Sequence, residues 1–322
     1  MEDAADPAHF ELRPRDLAPY REGNVGIPYV HRFDSGWPGP HVLVNALTHG
    51  NEFCGMVAAT HLLDAGVRPR IGTLTVSFAN VEAYESFDES RPFESRQLAH
   101  NLNRIWSSPW LEGAEHSPEL RRARELRPVV AAADHILDLH STSADVQPFW
   151  VYPHFARNGA AALAIALPRV HMVMPSGLGS GTPLIQHGLH GTPDHHGVAL
   201  VAECGQHFKR TTGEVAQRVT WRFLAHFGLV EPDVADAAGA APGPSAGTPQ
   251  RRYELLETRM VKTEAFAFTR PLVGFETFAR GELIATDGSE AIHAPCDDCT
   301  VMMPTRRAIV GREAVYLTRP MA

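Results

Sequence analysis

The segment Thr48-His49-Gly50-Asn51-Glu52 places an imidazole three positions before a carboxylate, directly after the apolar run His41–Ala46. Residues three apart share one side of a helical turn, so His49 and Glu52 can converge on a point and supply two of the three protein ligands of a catalytic zinc. The same spacing arises without a metal: a glutamate at a helix N-terminus interacts favourably with the dipole, and His49 is then an ordinary loop residue. A third ligand has to come from a separate element. His140 qualifies, because it follows the apolar run 136–139 and is followed at once by Ser141-Thr142. Asp138, two positions earlier, can orient it. With 18 histidines in the chain, His140 can equally end a strand for no chemical reason.

Hydrolysis at such a centre also needs a base. Glu203 ends the run Val198-Ala199-Leu200-Val201-Ala202, where an ionised carboxylate must be paired or solvated. It can pair with an arginine, or it can take a proton from an attacking water and hand it to a leaving amine. The segment 95–104 adds donors. Arg96 can polarise a carbonyl and stabilise an oxyanion, and Arg104 offers a fork for bidentate carboxylate recognition with Asn103 beside it. Lys209 and Lys262 are the only lysines among 29 basic residues, so any single arginine here is also readable as a surface charge. The signal lies in the conjunction.

The elements that position these residues alternate. Apolar runs over 41–46, 74–79, 134–139, 170–174 and 198–202 read as strands. Helical spacing covers 52–63, 117–133, 160–167 and 212–227, the second of these opening on Ser117-Pro118-Glu119 as a cap and a first-turn proline. Strands alternating with helices predict an α/β fold, a mixed sheet flanked by helices. His49, His140 and Glu203 then fall at strand C-termini, the edge where ligands collect in such sheets. This catalytic region spans 1–230. An Ala/Gly/Pro-rich linker follows over 231–250, and residues 251–322, with short β-like runs broken by turn signals, form a small C-terminal all-β domain.

Composition sets the remaining bounds. Of 322 residues, 44% are hydrophobic and 20% charged, which fits a globular chain. A net charge of −8 argues against phosphate-driven nucleic-acid binding. No apolar run approaches the ~20 residues needed to cross a bilayer, and the N-terminal stretch has no apolar core of a secretory signal. Four cysteines are too few for a disulfide framework. A cytoplasmic protein with neither nucleic-acid nor membrane partners is expected. Cys296-Asp297-Asp298-Cys299, with His293 nearby, has the spacing of half a structural zinc site but no second pair, so a complete site is not expected and Pro295-Cys296-Asp297-Asp298 reads as a turn signal.

In order, His-Gly-x-Glu after a strand, Asn101-Leu102-Asn103-Arg104, Asp138-Leu139-His140-Ser141-Thr142 and Glu203-Cys204-Gly205 make the chain resemble the succinylglutamate desuccinylase/aspartoacylase family, a branch of the zinc carboxypeptidase superfamily. The resemblance spans about residues 25–230, and the C-terminal β region is also similar to the one this family carries. It implies a zinc-carboxypeptidase-like fold with one zinc per chain held by His49, Glu52 and His140. It makes Glu203 the general base, Arg96 the carbonyl-polarising group, and Asn103 and Arg104 the residues that hold the carboxylate of the amino-acid portion. The implied activity is amide hydrolysis of a small-molecule N-acyl amino acid. A metallocarboxypeptidase acting on short peptides and a catalytically inactive binding homologue are the alternatives, and a homo-oligomer is compatible with all three.

Two departures accompany the resemblance. Asn101 stands where the family has an aspartate. The stretch before Glu203 also lacks the arginine with which aspartoacylase reads its substrate's side-chain carboxylate, so N-acetylaspartate specificity is not expected. His187, His190, His195 and His196 in that region are expected to line the pocket as a polar loop, in preference to binding a second metal.

Overall fold

The computed structural model describes residues 10–175, 180–234 and 249–321. The chain begins with an edge strand β1 (Val30–Asp34), then β2 (His41–Ala46), α1 (Phe53–Asp64), β3 (Thr73–Phe78), α2 (Val81–Glu85), α3 (Ser108–Glu112) and α4 (Pro118–Ala132). Next come β4 (His135–Thr142), β5 (Phe149–Pro153), α5 (Ala156–Ile165), β6 (Val170–Met174), β7 (Ala199–Gln206) and α6 (Arg210–His226). The C-terminal part is all strand: β8 (Arg251–Met260), β9 (Ala267–Phe268), β10 (Thr277–Phe278), β11 (Leu283–Asp287), β12 (Glu290–His293), β13 (Cys299–Met302) and β14 (Glu313–Pro320).

The sheet order is β1-β3-β2-β4-β7-β5-β6-β8-β14-β13-β10, with β12-β11-β9 as a separate antiparallel sheet. The parallel strands β2, β4 and β7 are central, and their near-continuous apolar sequences are what burial on both faces demands. Alternation divides their side chains: Val42, Val44, Leu137 and Leu139 pack with α1, α5 and α6, whereas Leu43 and Ile136 pack with α4. Helix α4 begins as its sequence predicts, with Ser117 Oγ accepting from Leu120 N at 3.1 Å and proline in the first turn.

Two strands add to the sequence expectation. β1 is a half-exposed edge strand antiparallel to β3, and β5 lies antiparallel to β7. β4 and β7 also run further than their apolar cores, because their polar tails pair with each other through Thr142 and Gln206. His140 and Glu203 are therefore register partners inside adjacent parallel strands, and their side chains project to the same side of the sheet. Neither lies beyond a strand end, as the apolar runs had suggested.

Most of the expected linker falls on residues 235–248, outside the described residues. After it, β8 pairs in parallel with β6, so the C-terminal strands continue the main sheet by hydrogen bonding. They also carry an apolar core of their own, which includes Val261, Ile284, Val301 and Leu317. Among the described residues, no helix is long and apolar enough to cross a membrane.

Candidate metal centre and active site

The turn leaving β2 is tightly constrained. Leu47, fully buried, adopts φ 58°, a left-handed conformation unfavourable to a branched side chain. At Gly50 any Cβ would collide with the backbone of Ser95, Ala83 and Tyr84, so this position of the motif admits glycine alone. Gly50 N donates to Arg96 O at 3.1 Å, which ties the turn to the segment carrying Arg96.

Glu52 precedes the first residue of α1 but makes no side-chain cap to that helix. Its carboxylate turns to the site. Oε1 lies 2.9 Å from His49 Nδ1 and accepts from Arg96 Nη1 at 2.7 Å. Oε2 lies 3.0 Å from His140 Nδ1 and accepts from Ser141 N at 3.1 Å. His49, Glu52 and His140 are all buried, and one ligand atom from each lies within 4.8 Å of the others. Ligands around a tetrahedral zinc at ~2.05 Å stand roughly 3.3 Å apart, so this donor set needs little adjustment to hold such an ion. Among the described residues it is the one cluster of its kind.

Both imidazoles present Nδ1 to the common point and turn Nε2 outward. His140 Nε2 donates to Asp138 Oδ2 at 2.8 Å, and the other oxygen of Asp138 accepts from Asn45 and Thr48, each at 2.8 Å. His49 Nε2 donates to Asn101 Oδ1 at 2.9 Å. Burial lowers the His49 pKa to about 4. Burial also opposes charge on His140, but the Asp138 and Glu52 carboxylates outweigh it and hold that pKa well above the usual value. Burial pushes Glu52 up, and the two imidazoles more than reverse this, leaving it well below the carboxylate range. Groups arranged in this way stabilise a carboxylate between two nitrogen donors.

Glu203 stands beside His140 in the sheet register, and burial raises its pKa to about 8. Its Oε2 is buried with no hydrogen-bond partner among the described residues. An unpaired buried carboxyl oxygen next to a donor set that could hold a cation is what a proton-accepting group would show.

Arg104 is more entangled than its sequence context announced. Its Nε donates to Glu313 Oε1 and to Ser180 Oγ, each at 2.8 Å, Nη1 to Asn103 O at 2.9 Å, and Nη2 to the Tyr316 hydroxyl at 3.1 Å. Asn103 uses its Oδ1 to accept from Leu184 N. Glu313, Tyr316 and Asn101 are site neighbours that local reading did not find. The first two come from β14, more than 200 residues away; Asn101 carried a visible signal as the odd residue of its motif. His207 is also new: buried, it shares a 2.8 Å hydrogen bond with Ser141 Oγ, and burial lowers its pKa to about 3.

The histidine-rich loop is a correction. His190 donates to Ala133 O, and His195 and His196 lie near Asp134 and Gly197 at the N-terminal end of β4. That is roughly 17 Å along the strand from His140, so His190, His195 and His196 do not line the site. The reason is Arg157, which pins this loop through the carbonyl oxygens of His190, Thr192, Pro193 and Gly197. His187 stays near the 103–106 segment but spends Nδ1 on Trp106 O at 2.9 Å. At the cysteine pair, Cys299 is buried in β13 and His293 bonds Gly281 O instead of turning toward the thiols.

Comparison with known proteins adds independent findings. Residues 38–182 match the model of the succinylglutamate desuccinylase/aspartoacylase catalytic domain. No curated protein matches the chain. Among solved structures, succinylglutamate desuccinylase from Vibrio cholerae is 16% identical, with 91% of this chain and 86% of that one covered at a TM-score of 0.67. A succinylglutamate desuccinylase/aspartoacylase from Rhodobacter sphaeroides is 19% identical, covering 91% and 89% at 0.61. The product-bound ectoine utilization protein from Ruegeria pomeroyi is 17% identical, covering 91% and 88% at 0.60. At these identities the likeness is one of fold.

Proposed function

Residues 38–182 belong to the succinylglutamate desuccinylase/aspartoacylase catalytic-domain family, and from that premise we propose that the chain is a zinc-dependent deacylase that hydrolyses the amide bond of an N-acyl amino acid. The observation that carries this reading is the convergence of His49, Glu52 and His140 beside the unpaired carboxyl of Glu203. Zinc, when bound by those three residues, supplies Lewis acidity and brings the pKa of water from 15.7 to about 7.

The chain's own groups do the rest. Glu203 accepts the proton of the attacking water and returns it to the departing amine. Glu203 must be ionised to accept that proton, and a divalent cation held by His49, Glu52 and His140 would favour its ionised form. Arg96, one-third exposed and free to leave Glu52, turns toward the substrate carbonyl and stabilises the oxyanion. Arg104 has five N–H donors; the contacts described above use Nε and one hydrogen on each terminal nitrogen. One donor on each terminal nitrogen remains, the pair that a bidentate carboxylate takes, and Asn103 adds a third. The C-terminal β region, through Glu313 and Tyr316, holds that fork in place. Four free cysteines accord with the proposed cytoplasmic location.

Metal analysis combined with an activity panel tests the reading. The panel contains acetyl and succinyl derivatives of acidic, basic and neutral amino acids beside short peptides. Stoichiometric zinc with hydrolysis of N-acyl amino acids in preference to peptides is expected. Turnover of peptides alone would make the chain a metallocarboxypeptidase, and loaded zinc without turnover a binding homologue.

A further inference from the structure

Glu119 has no role in the chemistry above and is fully buried. It lies in the first turn of α4, one position after Pro118, and its carboxylate leaves the helix for another segment. Oε1 accepts from Leu98 N at 2.6 Å, Oε2 accepts from His100 N at 3.1 Å, and Ala99 N is shared between the two oxygens at 3.4 and 3.3 Å. A buried carboxylate is tolerated only when its oxygens are hydrogen-bonded, and here three successive backbone amides do this. The same segment is also held by Gln97 Nε2, which donates to Ala99 O at 3.4 Å, and by His100, whose Nε2 lies 3.2 Å from Glu115 Oε1 and whose ring meets Trp110 edge-on. Leu98 is 46% exposed and Ala99 is exposed, so the Glu119 carboxylate is the buried anchor of the turn.

The residues flanking this anchored turn are the ones that reach the centre. On one side Arg96 donates to Glu52. On the other, Asn101 Oδ1 accepts from both His49 Nε2 and Asn103 N, each at 2.9 Å. An amide oxygen only accepts, so Asn101 places the His49 proton on Nε2 and leaves Nδ1 free to ligate. We propose that Glu119 is a positioning residue of the metal centre: by binding the amides of residues 98–100 it sets where Asn101 meets His49 and where Arg96 meets Glu52. The inference rests on the metal-centre reading above. It assigns a metal-affinity role to a side chain that touches no ligand and acts through backbone groups.

The test is zinc affinity by chelator competition for the unmodified full chain, Glu119→Gln, Asn101→Ala and the double variant, with amide hydrogen exchange at residues 98–100. Gln keeps the volume but turns an NH₂ toward amides that need an acceptor. Removing an outer partner of a metal ligand typically costs 10–100-fold in affinity. A loss of that size is expected in Glu119→Gln, with faster exchange at 98–100, and a much smaller further loss when Asn101 is already Ala. Ala99→Pro removes one of the three donors from the exposed side and should weaken zinc in the same direction, which keeps the test open if Glu119→Gln does not fold. Unchanged zinc affinity despite faster exchange at 98–100, or fully additive losses in the double variant, would overturn the inference and leave Glu119 as a support of α4 alone. An unmodified chain that binds no zinc would sink the metal-centre reading along with it.

Discussion

Glu313→Gln probes how the C-terminal strands hold the substrate side of the site. Glu313 Oε1 lies 2.8 Å from Arg104 Nε, and Ser180 Oγ donates to the same oxygen. Burial by itself would raise the carboxyl pKa; the guanidinium and the hydroxyl outweigh it and bring it from 4.5 down to about 2. At 1.36 kcal/mol per pH unit that drop corresponds to roughly 3 kcal/mol. The Glu313 side chain is 23% exposed and that of Arg104 25%, so solvent screening reduces the expected contribution to about 2 kcal/mol. A carboxyl with a depressed folded-state pKa stabilises fully above its unfolded value, and the stabilisation fades as pH falls toward the folded value. Denaturant unfolding of both proteins, followed by circular dichroism from pH 7 to pH 3, should therefore show a gap of about 2 kcal/mol at neutral pH. Because the folded carboxyl stays ionised to about pH 2, more than half of that gap should be gone by pH 3. A gap equally large at pH 3 would assign the loss to packing, and no gap at pH 7 would mean that the ion pair contributes nothing. Since the same guanidinium is the proposed reader of the substrate carboxylate, KM should also rise more than kcat falls.

Three further outcomes follow from the same geometry. Glu203→Gln should retain stoichiometric metal while turnover drops about 10²–10⁴-fold, the usual contribution of a positioned base; full activity would remove Glu203 from the scheme. His140→Ala should lose the metal by elemental analysis after dialysis, because two remaining donors cannot close the site; an undiminished stoichiometry would disprove its role as ligand. Gly50→Ala forces a methyl into the backbone of Ser95, Ala83 and Tyr84, so destabilisation of about 1–3 kcal/mol or more is expected, read as a lowered melting temperature together with lost metal.

Much of the site was legible locally. Apolar runs long enough for central strands end in His49, His140 and Glu203, and burial of such runs depends on little beyond their own composition. The four motifs in order did likewise for the family, which the match over 38–182 supports independently. Strand length was less legible. Ser141, Thr142 and Gln206 are polar and extend no apolar run, and the Thr142–Gln206 pairing carries β4 and β7 past the apolar core.

The identities and order of the side chains at the candidate metal centre were thus written in the chain itself, because His49, His140 and Glu203 each follow an apolar run that reads as a central strand. Which groups meet was decided by tertiary structure. The β4–β7 register sets Glu203 beside His140, β14 brings Glu313 to Arg104, and α4 lends Glu119 to residues 98–100. Arg157 in turn draws the histidine-rich loop to the opposite end of β4. A hydrogen bond or ion pair depends on the relative placement of two segments to within an ångström, and that placement comes from packing summed over the whole fold, which no local spacing encodes.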